Sequence, residues 1–253
     1  AYEASAAKDE KLRPLASIGI SRTYRQTGDQ DKTLATLKSA LEAAPDHPAL
    51  LAELAEFLFS QGKWEEADTL ADKAIAKQED QLLARWTKAR IFRDTGKLKE
   101  ADEAVRWIVR YYSARSNMDN DILDPEELVI VSLAGAENAR WNNLPKQFSF
   151  ILNTIIYDAL DSDPDYWPAE VLAGMMLLEK FNRPEASRAF DKALKINPKA
   201  ADALVGKGLG ALQRFELKEA ENFADQAIKI HPRHAAALRV KAEIYLVAAE
   251  WPT

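Results

Sequence analysis

Residues 48–81 read PALLAELAEFLFSQGKWEEADTLADKAIAKQEDQ. Leu51, Leu54, Ala55 and Leu58 recur at helical spacing before Gly62, and Ala67 and Ala74 recur after it. Gly62 stands where a helix ends most cheaply, because a residue without Cβ enters the left-handed region at no steric cost. Two antiparallel helices approach closely only where small side chains face each other, and Ala55 and Ala67 supply that contact while the leucines fill the space on either side. The stretch therefore reads as a helix-turn-helix unit.

The unit repeats. Gly28, Gly62 and Gly96 lie 34 residues apart, as do Ala55 and Ala89, and Ala67 and Ala101. Farther along, Gly174 and Gly208, Ala186 and Ala220, Ala193 and Ala227, and Pro198 and Pro232 keep the same interval. In the unit beginning at Trp167 the signature positions are Gly174, Leu177, Ala186, Phe190, Ala193 and Pro198; in the next they are Leu204, Gly208, Ala220, Ala224, Ala227 and Pro232. This pattern resembles the tetratricopeptide repeat (TPR). The resemblance implies an all-α fold, a right-handed α–α superhelix of about six helix-turn-helix units with partial units at both ends.

Three units are expected in residues 1–115, after a short stretch that reads as the end of an earlier helix. An acidic linker, 116–123, follows. Residues 124–253 hold one divergent unit, two regular ones and one partial one. The divergent unit opens on Asp124 as N-cap, Pro125 at the first helical position and Glu126 and Glu127 in the first turn. In the two regular units Phe181 and Phe215 stand where earlier repeats place glycine. Both ends read as interior to a longer bacterial repeat protein.

Composition removes several functions. A formal charge of −6 with no Lys/Arg-dense run argues against a nucleic-acid partner. The absence of cysteine removes disulfides, thiolate catalysis and cysteine-based zinc sites. No apolar run approaches the ~20 residues needed to span a bilayer. His231 and His234 have no third metal ligand beside them, and Gly206-x-Gly208-x-x-Ala211 follows no strand. The run Asp119, Asn120, Asp121, Asp124 lacks the glycine and terminal glutamate of a calcium loop. No catalytic, cofactor or metal site is expected.

The resemblance implies a ligand surface on the A helices. Carried onto this chain, its positions include Arg22 and Arg25, then Phe59, then Trp86, Arg90 and Arg93. An arginine pair recurring two repeats apart beside two aromatics suits an acidic protein or peptide segment. Glu56 falls between the two pairs, so an Arg–Glu–Arg ladder that satisfies its own charges is the plain alternative. In the later units the corresponding positions are apolar: Val171, Met175 and Leu178, then Val205, Leu209 and Leu212. They would form a second groove for an amphipathic helix or for self-association, with tight packing between repeats as the alternative. The expected function is a protein–protein interaction scaffold without catalysis. The other reading is the non-catalytic arm of a larger enzyme, metallopeptidase-like or a glycosyltransferase.

Overall fold

The computed structural model describes residues 12–115 and 123–250. Among them are thirteen helices and no strand. They are α1 (Arg13–Gln26), α2 (Gln30–Ala43), α3 (Pro48–Ser60), α4 (Trp64–Lys77), α5 (Leu82–Asp94), α6 (Leu98–Arg115) and α7 (Pro125–Trp141), then α8 over 145–162, α9 (Trp167–Glu179), α10 (Arg183–Ile196), α11 (Ala201–Leu212), α12 (Leu217–Ile230) and α13 (Ala235–Glu250). The middle of α8, Ile151–Ile155, is wound as a π-helix. Residues 1–11 and 116–122, expected as a helix end and an acidic linker, lie outside the described residues.

The chain divides into two compact units. The first runs to Ile151, apart from residues 26–28, and the second begins at Leu152. The division thus falls inside α8, at its π-turn. Helices α6 and α7, on either side of the acidic segment, pack on each other within the first unit.

Each unit is built from the pairing the repeat implies. In the first, α3 packs on α4 and α5 on α6, while α3, α5 and α7 pack in succession; in the second, α9 packs on α10 and α11 on α12, while α9, α11 and α13 do the same. The small residues sit at these seams, for Ala55, Ala67, Ala71, Ala74, Ala84 and Ala101 are all at most 2% exposed. An enlarged side chain at such a seam would force the helices apart, at about 1–3 kcal/mol.

The A-to-B turns share one device. The helix ends in a residue with positive φ, and the next amide closes a six-to-one hydrogen bond, as in Lys63 N→Leu58 O at 3.0 Å and Asn182 N→Leu177 O at 2.9 Å. The left-handed position is glycine at Gly28, Gly62 and Gly96, but Asn143, Phe181 and Phe215 take it elsewhere. Helix starts are capped by side chains: Asp29 accepts from Lys32 N at 3.1 Å, Asp124 from Glu127 N at 2.8 Å, and the Nδ1 atoms of His47 and His234 face Leu50 N and Ala237 N.

In the second unit the tightest seam is aromatic. Phe190 of α10 is 1% exposed, and a Cβ at Gly174 or Gly206 would lie 2.4 or 2.3 Å from its ring. The ring is seated between the α9 and α11 backbones, which only glycine permits.

Candidate functional site

The arginine stripe of the first unit lies on α1 and α5, with carboxylates from α3 and α7 between and beyond. Arg22 pairs through Nε with Glu53, and its two Nη atoms grip both carboxylate oxygens of Glu126. Glu53 is buried, so this is a charge pair largely removed from water. Burial opposes the Arg22 charge, but Glu53 and Glu126 outweigh it and raise its pKa above the ordinary arginine value.

Two repeats on from Arg22, Arg90 contacts Glu56, which also accepts from Thr87 Oγ1 at 3.0 Å. The Arg90 guanidinium stands 4.5 Å from the Phe59 ring centre and 5.5 Å from that of Trp86. Burial first, then the positive charges of Arg93 and Arg25, press the Arg90 pKa down. The Asp94 carboxylate opposes the shift, and the Glu56 carboxylate lies directly against the guanidinium. Its Nε is buried without an acceptor. Arg93 bonds Asp94 at 2.8 Å and Glu137 of α7 at 3.2 Å, and Arg140 meets the other oxygen of Glu137 at 3.0 Å.

The six residues expected at a ligand surface are therefore placed unequally. Phe59, Trp86 and Arg90 come together, and Arg25 and Arg93 are near enough for their charge to act on Arg90. Arg22 belongs to a separate pairing with Glu53 and Glu126. The ladder through Glu56 reaches Arg90 only. Trp86 is 7% exposed and walls in Arg90. Arg25 differs from the rest: it is half-buried, and no carboxylate of the described residues pairs with it.

Sequence reasoning missed Glu53, Glu126 and Glu137. The available signal was interval and sign: Arg22 to Glu53 and Glu56 to Thr87 each span 31 residues, three short of a repeat, which places the two on neighbouring A helices.

The apolar residues expected to line a second groove are unequally exposed. Val171, Leu178 and Val205 are at most 9% exposed and belong to the cores of the second unit, with Met175, Leu209 and Leu212 half-buried against them. These positions lie along α9 and α11, which pack on each other as α11 does on α13.

Among the described residues no group of three or more His, Cys, Asp or Glu is placed to hold a metal ion. His231 and His234 meet edge to face at 5.2 Å, and His234 Nε2 lies 3.1 Å from Asp202. No helix of the described residues is long and apolar enough to cross a membrane.

A search of curated proteins gives no match. Among solved structures, a thermophilic TPR protein of Thermus thermophilus, TTC0263, is similar at 17% identity with a TM-score of 0.60, covering 78% of this chain and 99% of that one. The human IFIT1 dimer with PPP-AAAA is similar at 16% identity and a TM-score of 0.60, covering 98% of this chain and 59% of that one. These likenesses concern the fold. Family models described as tetratricopeptide repeat match residues 24–91 and 171–233, together just over half of the sequence. With the 34-residue period and the paired helices, they establish that this chain belongs to the tetratricopeptide-repeat family.

Proposed function

We propose that this chain is a non-catalytic scaffold that binds an acidic protein or peptide segment on the A-helix face of its first unit, around Arg25, Phe59 and Arg90. The observation that carries the reading is Arg25, a half-buried cation with no carboxylate partner among the described residues, near a partly buried Arg90 whose Nε lacks an acceptor. An incoming carboxylate would satisfy Arg25 without displacing any internal pair. Arg22 and Arg93 hold their own carboxylates, so their part is to fix the walls and to lend positive potential. Phe59 offers the apolar contact beside them.

The test is fluorescence anisotropy with a fluorescein-labelled peptide of alternating Glu and Phe, against its Lys-for-Glu counterpart. A partly desolvated charge-assisted bond contributes about 1.5–3 kcal/mol. Arg25→Glu should therefore weaken the acidic peptide at least tenfold and leave the melting temperature nearly unchanged. Equal binding by parent and variant, or no preference for the acidic peptide, would place the ligand elsewhere.

A further inference from the structure

The second unit carries a feature that packing does not require. Phe181 and Phe215 are one repeat apart, at the left-handed position of consecutive A-to-B turns, each with φ of 59°. Glycine fills that position in the first three A-to-B turns of the described residues, and a side chain there is strained. Neither ring repays the strain by burial, for they are 69% and 74% exposed, the two most exposed of the large apolar side chains among the described residues.

Beside the Phe181 ring lies an ordered polar network. The Arg183 guanidinium stands 5.8 Å from the Phe181 ring centre, and its Nε donates to Gln213 Oε1 at 3.2 Å. Gln213 is held in turn by its bond to Leu178 O at 3.3 Å. Arg183 and Arg214 also line a small cavity, together with Ser187 and Lys207. Arg214 is taken by Glu216 and Glu219, and Lys207 by Asp191. Arg183 alone of these meets no carboxylate of the described residues, so its terminal nitrogens present a fork held beside the Phe181 ring.

We infer that this turn edge is a second docking site, distinct from the A-helix face. Its occupant is a partner protein segment bearing two apolar side chains about an acidic one: the apolar groups cover Phe181 and Phe215, and the carboxylate takes Arg183. A lipid surface fits less well, because Lys180, Arg183, Arg214 and Lys218 are matched in number by Glu179, Glu185, Glu216 and Glu219 and the whole chain is acidic.

The experiment uses the full chain and a fluorescein-labelled peptide with two leucines flanking an Asp-Asp pair, with Lys-for-Asp and Ala-for-Leu versions as controls. The parent should bind the first and bind both controls at least tenfold less. Phe181→Gly/Phe215→Gly should lose binding at least tenfold while its melting temperature stays level or rises, and Arg183→Gln should weaken the Asp-Asp peptide alone. A fall in melting temperature in the glycine variant would assign the rings a structural role and overturn the inference. So would equal peptide binding by that variant, a dimer that it abolishes in sedimentation, or capture of the parent by phosphatidylserine vesicles without peptide binding.

Discussion

Gly206→Ala tests the seam of the second unit directly. A Cβ at residue 206 would lie 2.3 Å from two ring carbons of Phe190 and 2.7 Å from a third, where ordinary contact is 3.4–4 Å. The ring must retreat by roughly 1 Å, yet it cannot, because a Cβ at Gly174 on the other side would lie 2.4 Å from the same ring. Either α9 and α11 separate or Phe190 leaves its rotamer. Overpacking of this kind costs about 1–3 kcal/mol, and both walls being backbone argues for the upper part of that range. Phe190→Leu alone opens a void at a fully buried site and should also destabilise, by about 1–2 kcal/mol. The two changes together should cost less than their sum, with a coupling of about 1–2 kcal/mol, since the smaller side chain makes room for the methyl. Urea titrations of the parent, both single variants and the double variant give this cycle, read by tryptophan fluorescence with hydrogen exchange to localise the loss. A Gly206→Ala cost below about 0.5 kcal/mol, or strict additivity, would refute the seat assigned to Phe190.

Glu56→Ala should destabilise the first unit by about 3 kcal/mol, because it leaves Arg90 largely buried without its carboxylate. Glu56→Leu with Arg90→Met should restore most of that in the same urea assay. Burial lowers the His47 pKa below its ordinary value, so the folded state prefers the neutral ring that accepts at the start of α3. The stability this gives is present above pH 6.5 and is lost as pH falls through the folded pKa. The urea midpoint should therefore drop between about pH 7.5 and 5.5, above the carboxylate range, and His47→Asn should lessen the drop while keeping the cap.

The repeat was legible because the interval that shows in sequence is the interval that packs. Each seam needs a small residue at one place, so Ala67 and Ala101, or Ala186 and Ala220, recur and all are buried to within 1%. Turn positions were legible for the same reason, down to Phe181 and Phe215 in place of glycine. The division at the π-turn of α8 was not: its sole trace in sequence was that the fourth unit runs longer than 34 residues. Nor was the fate of the apolar A-helix positions in the second unit. Val171 and Val205 read alike whether they face solvent or a neighbouring helix, and the offset between adjacent A helices buries them. The burial of Trp86 against Arg90 was not legible either, since helical position sets the direction of a side chain but not what stands in front of it.

A periodic arginine reads as a binding residue when only its own repeat is considered, whereas the neighbouring A helices decide whether it is spoken for. Arg22 is gripped by Glu53 and Glu126, and Arg90 by Glu56, so replacing Arg90 with Glu would set two carboxylates together in a mostly dry place and unfold the site before it tested any ligand. Internal pairing also limits what the face can bind. A ligand carboxylate aimed at Arg22 or Arg90 must displace one already desolvated and hydrogen-bonded, and gains little by the exchange. At Arg25 it displaces only water. Under the proposed function, an acidic segment would therefore be met at Arg25, with its neighbouring residues apolar against Phe59.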